Sequence, residues 1–341
     1  GFGEYGFPES HAHSFALLAY ASSWLKCHEP ACFLAALLNS LPMGFYSASQ
    51  LVQDARRHGV RVLPIDVTVS DIDCTLEGNP EPLRPARGLG APPLPQPAVR
   101  LGLRLVGSLH ADAAKRLLQA RATGPAFAST EDLALRAQLS QQDLQALAAA
   151  DALASLSGHR RQQMWDAAAQ HAAPPLWRDV PVHEAPLQLP EAPEGEEILF
   201  DYAATGLTLR RHPLALLRPR LARWRLQTAL QLHNAAHGRK VRACGIVTVR
   251  QRPGTAKGTM FVTLEDETGP VNVIVWPAMV DVWRNALLRS QLLAVEGVWQ
   301  CSPGALGSKA MVRHLVAQRF KDLTPLLGRM AQALQGSRDF H

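Results

Sequence analysis

The residues with the most concentrated chemistry in this chain are cations. Between Asp201 and Glu265 there is no carboxylate, yet the stretch carries Arg210, Arg211, Arg218, Arg220, Arg223, Arg225, Arg239, Lys240, Arg242, Arg250, Arg252 and Lys257. A solvated surface ordinarily interleaves both signs. An uncompensated excess costs self-repulsion, and a phosphate backbone that releases counterions on contact offsets it; a merely soluble basic surface is the other reading. Arg242, Arg250, Arg252 and Lys257, with Lys309 further along, have the type and spacing to follow the phosphates of a single strand. Phe261 or Trp276 offers a ring on which a base can stack, although Trp276, Trp283 and Trp299 are better suited to the apolar filling of a small domain. The overall balance agrees without deciding: 35 Lys and Arg stand against 29 Asp and Glu, a net charge of +6.

Other chemistries are poorly supplied. Cys27, Cys32, Cys74, Cys244 and Cys301 lack paired spacing, so neither a disulfide framework nor a zinc ribbon is expected. His11-Ala12-His13, and Cys27-His28 with Cys32, do not provide four ligands at reachable spacing, and no metal site is expected. No run of about 18 apolar residues occurs, and the first residues lack the basic and apolar regions of a signal peptide; a reducing cytoplasm and no membrane partner are expected. The chain opens on Gly1-Phe2-Gly3 rather than Met, in what reads as the middle of a motif, so a fragment is expected.

The elements that must position these residues change character along the chain. Phe15, Leu18, Ala19, Ser22 and Leu25 recur at helical spacing, and Pro30 opens a second helix to about Asn39. Ser49 or a neighbour caps a third, Leu51 to Arg57, before a short strand over Val60 to Ile65. Residues 78–98 hold so many Pro and Gly that no helix or central strand is expected there. Short helices follow, among them Ala111 to Arg121, a start at Ser129-Thr130-Glu131-Asp132, and a capping pair of Ser140 with Asp143. A second Pro-rich stretch covers 174–197. The period then falls to two: Val241, Ala243, Gly245, Val247 and Val249 alternate with Arg242, Cys244, Ile246, Thr248 and Arg250, which puts both arginines on one face. Strands over Met260 to Glu265 and Val271 to Trp276, a helix from Pro277 to Leu288, and strands over Leu292 to Gln300 and Lys309 to Val316 complete the order of an OB-fold barrel.

Several motifs carry a family resemblance. Tyr5-Gly6-Phe7-Pro8-Glu9-Ser10-His11, then Phe15 to Tyr20 and Trp24-Leu25-Lys26, resemble the fingers-domain signature of bacterial C-family DNA polymerase alpha subunits. His28-Glu29-Pro30-Ala31-Cys32-Phe33, Asp54-Ala55-Arg56-Arg57-His58-Gly59-Val60 and Pro64-Ile65-Asp66-Val67 keep that family's order. Glu9 before the Ser-His pair, Thr263 to Gly269, Asn272 to Trp276 and the ending Ser337-Arg338-Asp339-Phe340-His341 look like its error-prone, damage-inducible branch. The resemblance implies template-directed nucleotidyl transfer with two metal ions on palm aspartates. Those aspartates belong upstream of the fingers signature, and Asp66, Asp71 and Asp73 read as loop residues. No catalytic residue and no bound cofactor are therefore expected in this chain, with Mg2+ expected for a complete polymerase; whether the chain is an enzyme by itself is left open, and isolated it is expected to be inactive.

The resemblance also implies site residues and partners. Ser10 and His11 open a helix where backbone N-H groups and an imidazole could meet a nucleotide triphosphate, or where Ser10 simply caps and His11 packs. Gly107, in Leu105-Val106-Gly107-Ser108-Leu109, sits where the family has a helix-hairpin-helix turn that offers N-H groups to DNA phosphates. The expected partners are single-stranded or primer-template DNA, accessory mutagenesis proteins and, indirectly, the sliding clamp, in a bacterial cytoplasm near the nucleoid. The expected fold class is multidomain α + β: a helical fingers remnant over 1–77, a Pro-rich linker over 78–98, a helix-hairpin-helix-type domain over 99–173, a second linker over 174–197, a basic helical connector over 198–238, an OB-fold barrel over 239–320 and a C-terminal helix and tail over 321–341. The expected role is DNA grip for translesion synthesis and SOS mutagenesis; the alternative is a free-standing single-strand-binding or adaptor module.

Overall fold

The computed structural model describes residues 9–43, 46–81, 95–170, 187–303, 311–334 and 338–340. They fall into two compact units, Gly1–Pro193 with Ala203–Leu209, and Glu194–Tyr202 with Arg210–His341.

The first unit begins with helices α1 (Glu9–His28), α2 (Pro30–Asn39) and α3 (Ala48–Arg57). Pro30 sits at the first position of α2, where its missing N-H is no loss. Ser47 and Gln50 form a reciprocal capping box at the start of α3. A three-stranded sheet follows, made of β1 (Val62–Leu63), β2 (Thr75–Glu81) and β3 (Gln96–Arg100), with β3 in the centre. A central strand containing Pro97 corrects the expectation for 78–98 at that end. The register of β2 against β3 breaks between Glu77 and Glu81, and β1 first pairs at Val99, so Pro97 lies where no ladder N-H is required of it. Buried Gln96 pins this sheet to the helices: its amide donates to the His28 carbonyl at 3.1 Å and its oxygen accepts from the Ala31 N-H at 3.2 Å.

Helices α4 (Ala111–Thr123), α5 (Thr130–Arg136), α6 (Gln141–Ala149), α7 (Ala154–Ser157) and α8 (Arg160–Ala169) complete the unit. Leu38, Val52, Val67, Val99, Leu117, Leu133, Leu147 and Leu153 share one core, so the fingers-like and hairpin-like segments are a single packed body. Asp143 is the polar hub among the short helices. It caps α6 in a box with Ser140, accepts the Ser140 hydroxyl at 2.6 Å, and accepts the His110 N-H at 3.2 Å and the His110 Nδ1 at 2.8 Å. Burial pushes its pKa up, but these hydrogen bonds together outweigh that and hold it below the usual carboxylate value.

The second unit starts with α9 (Glu194–Thr205), of which residues through Tyr202 belong to it, α10 (Pro213–Arg223) and α11 (Ala229–His233). The barrel strands are β4 (Lys240–Gln251), β5 (Met260–Asp266), β6 (Gly269–Val275), β7 (Leu292–Pro303) and β8 (Met311–Asp322), with α12 (Pro277–Val282) and α13 (Arg284–Arg289) between β6 and β7. After β8 come a single 3-10 turn at Thr324–Leu327, the four-residue α14 (Met330–Ala333) and β9 (Arg338–Phe340), which pairs in parallel with the end of β4. The sheet order β5-β6-β8-β7-β4, closed by β4 pairing with β5, is the expected OB topology. Val241, Ala243, Val247, Val262, Leu264, Val273, Val275, Val295 and Leu315 fill the interior. β4 is also covered on its outer side, where Cys244 and Ile246 pack with Ile198, Tyr202, Leu214 and Leu221 of α9 and α10. Burial pushes the Cys244 thiol up to about 12, so it acts as a small apolar filler.

Closure depends on two local features of β4. Gly245 sits where β4 leaves β7 and meets β5; a Cβ there would lie 2.8 Å from the Glu265 backbone nitrogen. Between Val247 and Val249 the register against β5 slips by one residue, a β-bulge that bends the strand and reverses which face each later side chain takes.

Candidate nucleic-acid interface

The bulge decides what the expected site residues of β4 can do. Val247 pairs with interior Leu264, but Val249 pairs with outward Thr263, so Arg250 turns inward beside Val262. Arg250 is 5% exposed, and its guanidinium donates to the backbone carbonyls of Leu287 and Ser290 at the end of α13. This corrects the expectation that Arg250 follows a phosphate strand: it satisfies helix-end carbonyls, a fold role suited to a cation at that pole. Arg242 lies before the bulge and does face outward, where it meets its cross-strand partner Glu296 at 2.9 Å.

Arg252 and Lys257 are exposed on the β4–β5 connection and make no ion pair among the described residues. Lys257 ends a 3-10 turn, Gly254–Ala256, in the left-handed conformation. Beyond it, β5 and β6 alternate without a break. Val262, Leu264, Val271, Val273 and Val275 point inward, and the outer row holds Phe261 paired with Ile274, and Thr263 paired with Asn272. Trp276 continues that row just past β6 with its backbone still extended. Phe261 is 38% and Trp276 53% exposed, which is wasteful for large rings unless something covers them. Of the other tryptophans of this unit, Trp299 is 3% exposed and Trp283 packs on Phe320 with centroids 6.1 Å apart, both as filler, while Trp224, at the end of α10, is 38% exposed with Arg220 and Lys321 over its ring. The outer row of β5 and β6 thus presents two exposed rings, with the exposed cations Arg252 and Lys257 on the connection that leads into β5. Lys309 lies outside the described residues.

In the first unit the placements differ from the expectation. Gly107 donates its N-H to the Ala204 carbonyl at 2.7 Å, and a Cβ on it would come within 2.8 Å of that oxygen. The glycine is required for close packing, which corrects its assignment as a donor to phosphate. Ser108 next to it holds the positive φ of 65° that such a turn needs. Arg160, at the start of α8, is 2% exposed and cannot reach a ligand outside. His11 is exposed near the start of α1, with its ring 4.4 Å from that of Phe15; Ser10 belongs to the same helix.

Asp66, Asp71 and Asp73 do not form a two-metal centre. Asp66 accepts from Thr68 and Ser155, Asp71 pairs with Arg121 and Asp73 with Arg104. Among the described residues no group of three or more His, Cys, Asp or Glu could hold a metal ion. No helix of those residues is long and apolar enough to cross a membrane.

Sequence reasoning missed Asp266. It accepts from Thr268 N at 2.7 Å, Thr268 Oγ1 at 2.7 Å and Gly269 N at 3.0 Å, shaping the β5–β6 turn, and from Ala229 N at 2.7 Å, anchoring α11. Its neighbour Glu267 holds Arg218 in a two-toothed pair, which removes that cation from the free set. Arg210 and Arg211 are likewise tied, to Asp201 with Glu197 and to Glu194. An Asp-x-Thr-Gly turn signal at 266–269 could have found the first; the long-range pairs have no local signal.

Two family models agree with this architecture, the helix-hairpin-helix motif over residues 59–163 and the OB-fold nucleic acid binding domain over 241–323. Together with the closed barrel they define a multidomain chain of helix-hairpin-helix and OB-fold type. Curated relatives match from end to end. Error-prone DNA polymerases of Ralstonia nicotianae, Bordetella parapertussis and Burkholderia pseudomallei are 55%, 56% and 56% identical, covering 100% of this chain and 30%, 31% and 30% of their own lengths. The chain belongs to the error-prone DNA polymerase family and corresponds to its C-terminal part. It spans about 30% of the length of the relatives it matches. Among solved structures, the mitochondrial single-stranded DNA binding protein Rim1 of S. cerevisiae is 16% identical and covers 25% of this chain and 94% of its own, at a TM-score of 0.21, too low to carry an argument.

Proposed function

We propose that this chain is the DNA-holding portion of an error-prone polymerase, and that it takes a single strand across the outer row of β5 and β6. The observation that carries this is the exposure of Phe261 and Trp276 on one uninterrupted strand face beside Arg252 and Lys257. Bases stack on the rings, the two cations neutralise phosphates, and no sequence is read. Arg242 is a weaker contributor because Glu296 already holds it.

Nucleotidyl transfer, with its Mg2+ ions, belongs to the remainder of the full-length protein, since Asp66, Asp71 and Asp73 are engaged elsewhere. In that context His11 and Ser10 would stand near the incoming nucleotide. The same proposal includes translesion synthesis during the SOS response, contact with accessory mutagenesis proteins and through them the sliding clamp, and a cytoplasmic, nucleoid-associated location; similarity to error-prone polymerases is what supports it. Similarity over the whole chain favours this over a free-standing adaptor.

The test is fluorescence anisotropy with labelled oligothymidylate. Phe261→Ala and Trp276→Ala should each cost about 1–3 kcal/mol of binding free energy, while Trp283→Ala should act on stability. Binding that is absent in the unaltered chain, or indifferent to both ring removals, overturns the reading.

A further inference from the structure

The acid-free run divides in space, and one part lies well away from the β5–β6 face. Arg225, Arg239, Lys240 and Arg242 line an open groove of about 570 Å3 between the turn that ends α10, the start of β4 and the middle of β7. Its one carboxylate, Glu296, is taken by Arg242 at 2.9 Å. Arg225, Arg239 and Lys240 are exposed and make no ion pair among the described residues. Arg250, at the bulged end, lies nine positions along β4 from Val241, in the groove. At about 3.3 Å per residue that is about 30 Å of strand.

The fold does not call for these cations. Arg225 has a φ of 56°, in a turn where the Arg225 N-H bonds the Ala222 carbonyl and the Leu226 N-H bonds the Leu221 carbonyl. A helix-ending turn of this kind favours glycine, yet the position carries a long cation with its head in solvent. Proximity to the end of α10 does not account for Arg239 and Lys240, which belong to β4 and the turn before it. No aromatic ring lines the groove, so a free nucleotide would find nothing for its base. A phosphodiester backbone needs only the charges.

We propose that the groove is a second phosphate-contact site, which engages the backbone of the same DNA strand beyond the aromatic face and without reading its bases. This rests on the reading that the β5–β6 face holds single-stranded DNA, and the test separates the two. Oligothymidylates of about 5 and about 30 nucleotides, one confined to the face and one long enough to reach both places, are titrated against the full chain at several salt concentrations. The variant combines Arg225→Gly, Arg239→Ala and Lys240→Ala. Glycine suits the turn, so the thermal midpoint should hold or rise.

The long oligonucleotide should lose about two from the slope of log affinity against log salt, at about 0.7 for each lost phosphate contact. The short one should bind as before. An unchanged slope for the long strand overturns the groove while leaving the face intact, and equal losses for both strands overturn it as a separate site. A groove-dependent slope on the long strand with no binding of the short one by the unaltered chain would sustain the groove and defeat the face. Failure to bind either strand would defeat both.

Discussion

Arg250 and Arg252 stand two residues apart and their side chains serve different ends. Arg250 is buried against the carbonyls of Leu287 and Ser290, so Arg250→Ala removes charged hydrogen bonds and leaves buried acceptors unpaired. We expect it to lower the stability of the second unit by about 2–4 kcal/mol in urea unfolding and to leave the salt dependence of DNA binding unaltered. Arg252→Ala should do the reverse, with stability within about 0.5 kcal/mol and a salt slope smaller by about 0.7. A periodic reading of the strand put Arg250 on one face with Arg242. It failed because Val247, Thr248 and Val249 are β-branched residues that suit either face equally, and only pairing with β5 reveals the extra residue. The outward placement of Phe261 was legible because no such slip interrupts its pairing with β6.

At the scale of elements, Asp143 ties α6 to the residue that precedes α4. Its partnership with Ser140 was visible as a three-residue spacing, whereas the bond to His110, 33 residues earlier, needed the fold. Because the folded-state pKa of Asp143 is lowered, the unfolded chain binds the proton more readily. Its contribution is therefore fully present above the ordinary carboxylate pKa of about 4 and is lost as pH falls through the lowered folded value. Asp143→Asn should cost about 1–3 kcal/mol at neutral pH. The gap between variant and parent should narrow progressively in unfolding titrations taken down through pH 4. A gap that stays constant with pH would show that shape, not charge, matters there.

Across the whole molecule, the order of the barrel strands and the run of short helices were legible from periodicity, caps and turns. The division into units was not, because it depends on which apolar faces share a core. Leu207 belongs to the core of the first unit, although a Pro-rich stretch separates it from the hairpin helices, and the Ala204 carbonyl receives the Gly107 N-H. A polypeptide ending at 209 should therefore be more stable than one ending at 193, by about 2–4 kcal/mol for the loss of one buried leucine and its neighbours; equal midpoints in thermal unfolding would contradict the shared core.

The surface that holds DNA can be located by photocrosslinking the chain to single-stranded DNA containing 5-bromodeoxyuridine and identifying the modified residues by mass spectrometry. The account predicts adducts at Phe261 and Trp276 that fade as salt rises. Adducts that spare both rings and gather elsewhere on the second unit or on the first would contradict it.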